Sequence, residues 1–80
     1  MEKRVYRVVS QIMNVPIEQV NKASSPSTVE AWDSLNHMNL VLALEEEFGV
    51  QFDDEDIVSM TNVEVILTTL GKMENGHRAI

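Results

Sequence analysis

Asp33, Ser34 and His37 put a carboxylate, a hydroxyl and an imidazole within five consecutive positions, the side-chain types from which a nucleophile, its base and an orienting acid are built. His37 follows Ser34 by three residues and would meet it on a helix surface. Hydrolysis asks for more. No Gly-x-Ser-x-Gly elbow surrounds the serine, and no oxyanion hole is evident beside it. The chain is therefore not read as an enzyme, and no residue receives a catalytic role. His37 falls on the same helical arc as Leu40 and Leu44 and reads as a partly buried packing residue.

Metal chemistry fares no better. The two histidines, His37 and His77, are distant and have no carboxylate at ligand spacing, so no zinc site is expected. The absence of cysteine excludes disulfides, thiolate sites and a cysteine nucleophile. The acidic run Asp53-Asp54-Glu55-Asp56 fails as a calcium loop, because Val58 occupies the sixth position, where that loop needs glycine.

What is left is the Ser34 hydroxyl. It sits one residue after Asp33, at the expected mouth of a helix, beside unpaired backbone N–H groups and the positive end of the helix dipole. An anionic group fastened there, such as a phosphate, would be stabilised. Asp-Ser before an apolar run is also the ordinary signature of an N-cap, so both readings stay open at this point.

The element that positions this oxygen is a helix over Ser34–Phe48, built from strong helix formers and closed by Gly49. At about 100° per residue, Leu40, Leu44 and Phe48 share one arc with Val41 at its edge, while Leu35, Met38 and Leu42 lie roughly 150° around. One core needs only one stripe. Periodicity alone favours burial of the second stripe against another helix. The other reading is an exposed docking surface with an apolar centre and an acidic border at Glu45 and Glu46.

Around this helix the chain reads as follows. Val5, Val8, Val9 and Ile12 give residues 2–14 one apolar helical face, with Lys3, Arg4 and Arg7 on a solvated side. A long link over residues 15–31 opens with a short turn from Pro16, with Ile17 and Val20 inward, and ends near an anchor at Trp32. Val50 and Phe52 point into the core from a short extended piece, and a short helix follows over Asp54–Ser59 with acids in its first turn. Thr61 and Glu64 fit a capping box for a last helix carrying Val63, Ile66, Leu67 and Leu70. Gly71 offers its stop, with frayed turns to Met73, and residues 74–80 read as a mobile tail. The expected fold is all-α, a small four-helix bundle of three long helices and one short third helix, forming one domain over residues 1–73.

Thirteen acidic against six basic side chains give a net charge of −7, and most of the acids lie in the second half. Such a field repels nucleic acid and steers towards basic protein surfaces. No stretch is long and apolar enough to span a bilayer and no export leader is evident, so a cytoplasmic monomer is expected.

Asp33-Ser34-Leu35 opening a two-faced helix that closes in Leu44-Glu45-Glu46-Glu47-Phe48-Gly49-Val50 resembles the acyl and peptidyl carrier protein family, over nearly the whole chain. The resemblance implies that the serine is esterified by 4′-phosphopantetheine, whose thiol carries acyl groups as thioesters. That would import the thiol the sequence lacks. By the same resemblance, Asp33 and Ser34 are engaged by a phosphopantetheinyl transferase that uses coenzyme A and magnesium. Leu35, Met38, Leu42, Glu45 and Glu46 match docking positions for acyl-loading and acyl-processing enzymes with basic patches, and Asp54 and Asp56 extend that surface. Leu44 and Val63 would help line an inner acyl cavity.

The chain departs from the family's fatty-acid carriers at several points. Asn36 and Asn39 are neutral where further acids are usual, Val58 stands where a charge is common, Trp32 replaces a small or aliphatic residue, and Glu30-Ala31 replaces a glycine lead-in. These departures point to a specialised, free-standing acyl carrier of a fatty-acid, polyketide or related pathway. The alternatives are a housekeeping fatty-acid carrier, an aminoacyl or peptidyl carrier, and a helical interaction module in which Ser34 is only a cap.

Overall fold

The computed structural model describes the backbone of residues 2–79 and the side chains of residues 2–73. Its elements are α1 (Glu2–Met13), a single 3-10 turn (Ile17–Gln19), α2 (Ser34–Phe48), α3 (Asp54–Ser59) and α4 (Val63–Ala79). The all-α bundle with a short third helix is the expected architecture, and the bounds of α2 and α3 coincide with those expected from the sequence.

α1 contributes Val5, Val8, Val9 and Met13 to the core. It ends because Asn14 turns into the left-handed region at φ 56°, a conformation asparagine tolerates better than most residues. The Ser10 hydroxyl then donates to the Val15 carbonyl at 2.6 Å and holds the exit. α2 packs Leu40, Val41 and Leu44 against it, and Val63, Ile66 and Leu70 of α4 complete the core. Val20, Val29 and Trp32 from the long link, with Phe52 and Met60 on either side of α3, fill the remaining space.

Four local expectations are corrected. Ile17 is 42% exposed rather than inward. A turn of three residues has no face of its own, and the chain first turns inward at Val20, which leaves the turn in extended conformation. α4 is capped by Asn62 rather than Thr61: the Asn62 Oδ1 accepts from the Val65 N–H at 2.8 Å. The Lys22 and Ser24 carbonyls take the N–H groups of Glu64 and Val63 at 3.1 and 3.0 Å. These loop carbonyls satisfy donors that a reciprocal capping box would otherwise serve. Gly71 does not stop α4, which runs on to Ala79, since glycine weakens a helix and ends it only where a left-handed turn follows. The tail read in residues 74–80 lies outside the described side chains.

Arg4 is the fourth correction, because it is not simply solvated. Its guanidinium donates to the Glu47 carbonyl at 2.8 Å and to the Glu47 carboxylate at 3.0 Å, and it lies 4.4 Å over the Phe48 ring. It thus serves the C-terminal end of α2, where carbonyls lack partners and the dipole favours a cation.

Candidate functional site

The site is built at the start of α2. Asp33 is its N-cap, in extended conformation, and its side chain accepts from the Asn36 N–H at 2.9 Å. Asn36 in turn donates through its side chain to the Ala31 carbonyl at 2.8 Å, which fixes the chain leading into the helix. Ser34 is therefore the first residue of the helix rather than its cap, and it is exposed. A first-turn position leaves the Ser34 and Leu35 N–H groups without carbonyl partners inside the helix. The hydroxyl thus stands at the positive end of a helix of 15 residues.

Beside it lies an open groove of about 500 Å³ between α2 and α3, lined among others by Trp32, Ser34, His37, Met38, Ile57 and Val58. Of these, the sequence singled out Ser34 and Met38 for the site. Val58 and Ile57 were missed as site residues, although two adjacent apolar residues directly after the acidic run Asp53–Asp56, on a helix expected to be only six residues long, are the signal that could have found them. His37 is half-buried, as its packing reading requires. It also makes two polar bonds: Nδ1 accepts from the Trp32 indole N–H at 3.0 Å, and Nε2 lies 2.8 Å from the Ile57 carbonyl.

The second stripe of α2 is not buried against another helix, contrary to what periodicity favours. Leu35, Met38 and Leu42 are 73%, 43% and 59% exposed, and Val58 of α3 is 77% exposed. α1 and α4 cover one side of α2 only, and the short α3 packs no buried residue against the other. Leu35, Met38 and Val58 therefore face solvent near the mouth of α2, and Leu42 continues the exposed stripe two turns further along, an uncommon concentration for a domain of this size.

The four acids expected to border this surface divide into two pairs. Glu46 and Asp54 are exposed. Glu45 and Asp56 are half-buried and hold backbone. The Glu45 carboxylate accepts from the Phe52 N–H at 2.9 Å, and Asp56 completes a capping box with Asp53, whose side chain accepts from the Asp56 N–H at 2.8 Å. Leu44 and Val63 are fully buried in the core, and neither lines the groove beside Ser34.

Two comparisons with known proteins bear on this arrangement. The family model described as "Phosphopantetheine attachment site" matches residues 3–70. The chain is also similar to the acyl carrier protein of Buchnera aphidicola subsp. Schizaphis graminum, at 35% identity over 65 residues, covering 80% of this chain and 81% of that protein.

Proposed function

Since this chain belongs to the acyl carrier protein family and bears 4′-phosphopantetheine as its covalent cofactor, we propose that the arm is fastened to Ser34 and carries acyl groups as thioesters between partner enzymes. The observation that carries this reading is the division of labour at the helix mouth. Asp33 makes the capping bond, and the exposed Ser34 hydroxyl beside it is free of that task.

The residues present fit a phosphodiester at this point. The first-turn N–H groups and the dipole of α2 favour its negative charge by about 0.3–1 kcal/mol. Asp33 holds the backbone of the first turn, so Ser34 keeps its place at the helix mouth. Once attached, the group supplies the reactive thiol that a chain without cysteine cannot. No chain residue does bond-making chemistry afterwards, in keeping with a carrier rather than an enzyme.

Leu35, Met38 and Leu42 form the apolar centre that partners grip, with Glu46 and Asp54 as the solvent-facing acidic border. A net charge of −7 favours partners with basic patches, the transferase included. Among the described residues no helix is long and apolar enough to cross a membrane, and we place the carrier in the cytoplasm as a monomer. The name of the similar protein supports acyl over aminoacyl cargo. Neutral Asn36 and Asn39 and the exposed Val58 support a specialised set of acyl-processing partners.

Incubation with coenzyme A, magnesium and a broad-specificity phosphopantetheinyl transferase, read by intact mass spectrometry, tests the assignment. Wild type gains one phosphopantetheine and Ser34→Ala gains none. An unmodified wild type, alongside a control carrier that is modified, rejects it.

A further inference from the structure

α3 is a helix of six residues with no buried side chain of its own. So short a helix does not hold itself together. The buried Phe52 and Met60 anchor the chain before and after it, the half-buried Ile57 packs against the core from within it, and polar bonds hold its backbone. At the N-terminal end these are the Glu45 bond to the Phe52 N–H and the Asp53–Asp56 capping box. At the other end, the carbonyls of the last turn have no partner within the helix. The Met60 N–H takes that of Asp56, and the next one, of Ile57, lies 2.8 Å from His37 Nε2 on α2.

The two partners of the imidazole determine where its proton sits. A carbonyl only accepts and an indole N–H only donates. With Trp32 donating to Nδ1 at 3.0 Å, the ring must be neutral and carry its hydrogen on Nε2. Trp32 is 3% exposed and belongs to the core, so a continuous chain of contacts runs from the core through Trp32 and His37 to the backbone of α3. Its far end adjoins Val58, which shares the groove beside Ser34 with Met38.

We infer that His37 is a positioning residue: by gripping the Ile57 carbonyl it holds α3 in register with α2, so that Val58 and Asp54 are presented together with Leu35, Met38 and Ser34 as one surface. Without that grip α3 opens locally while the rest of the bundle stays folded. A partner that reads both helices then finds the complete surface only part of the time, and its apparent affinity drops by that fraction. The effect on partners rests on the carrier reading of Ser34, whereas the grip itself does not.

The test uses the full chain and three variants. His37→Phe keeps a flat ring without its polar bonds, His37→Gln restores a donor near the Nε2 position, and Trp32→Phe removes the indole donor. In His37→Phe, amide hydrogen exchange over residues 57–60 rises about five- to tenfold, the effect of losing one hydrogen bond. Amides of α1 and α4 that exchange by local opening change less than about twofold, while those that exchange only by global unfolding also rise, because the buried Trp32 indole loses its partner. Gln recovers part of the protection. The transferase shows a KM for the apo chain raised several-fold, with the loss on KM rather than kcat. Nitrogen NMR of wild-type His37 finds the neutral ring with hydrogen on Nε2, and Trp32→Phe weakens that preference.

Exchange that rises equally among the locally opening amides of all helices, or not at all in α3, overturns the inference, as does a hydrogen on Nδ1. So does faster exchange in α3 with an unchanged KM. The Ser34→Ala mass measurement judges the carrier reading without involving α3, so the two can fail separately.

Discussion

The Glu45 carboxylate accepts a hydrogen bond from the Phe52 backbone N–H at 2.9 Å, across the link between α2 and α3. Two adjacent acids in the sequence, Glu45 and Glu46, therefore have different tasks: one is half-buried and holds the link, the other faces solvent. Replacing Glu45 with Ala strands a part-buried N–H and costs about 1–2 kcal/mol. Glu46→Ala changes stability by less than about 0.5 kcal/mol. Urea unfolding of the two variants checks this, and equal effects would contradict it. Glu46→Lys should instead weaken partner binding, most at low salt.

Leu40 and Leu42 lie two residues apart on α2 and separate stability from recognition. Leu40 is 1% exposed and Leu42 59%. Leu40→Ala should cost about 2–5 kcal/mol through lost burial and a cavity, whereas Leu42→Ala should leave stability within about 0.5 kcal/mol. Leu42→Asp, measured by titration calorimetry against the transferase, should lower affinity about tenfold or more, as for an apolar residue at the centre of an interface. An affinity indifferent to Leu42→Asp would remove this stripe from the docking surface.

The start of α4 offers a local contrast. Asn62 makes the cap bond at 2.8 Å and Thr61 does not. Asn62→Ala should cost about 1 kcal/mol and Thr61→Ala close to nothing, both read as shifts in the urea midpoint. The reverse order would restore the capping box expected from Thr61 and Glu64.

Charge sets the fourth expectation. The net charge of −7 is concentrated over Glu45–Glu47 and Asp53–Asp56, on either side of the link between α2 and α3. Screening this repulsion with monovalent salt, or bridging it with divalent cations, should raise the melting temperature by a few degrees. Calorimetry over a range of ionic strength decides the matter, and a melting point indifferent to both would contradict it.

Much of this was legible in one dimension. Asp33 and Gly49 bound α2 through backbone rules that act within a few residues, and the structure keeps those bounds. The core faces of α1 and α4 follow from helical spacing for the same reason. Asp33-Ser34-Leu35 marked the hydroxyl and, by resemblance, its family.

Other features depended on contacts between distant positions. Whether Leu35, Met38 and Leu42 are core or surface depends on what packs against α2 from outside it, and periodicity treats both of its stripes alike. The roles of Arg4 at the end of α2, Glu45 on the Phe52 N–H and His37 on the Ile57 carbonyl follow from unpaired backbone groups that exist only once the helices are laid side by side. Local sequence determined where α2 and α3 begin and which oxygen stands at the mouth of α2. Only the tertiary structure decided which apolar face stays in water and which side chains hold α3 beside that oxygen, because both depend on burial and partners supplied from elsewhere in the chain.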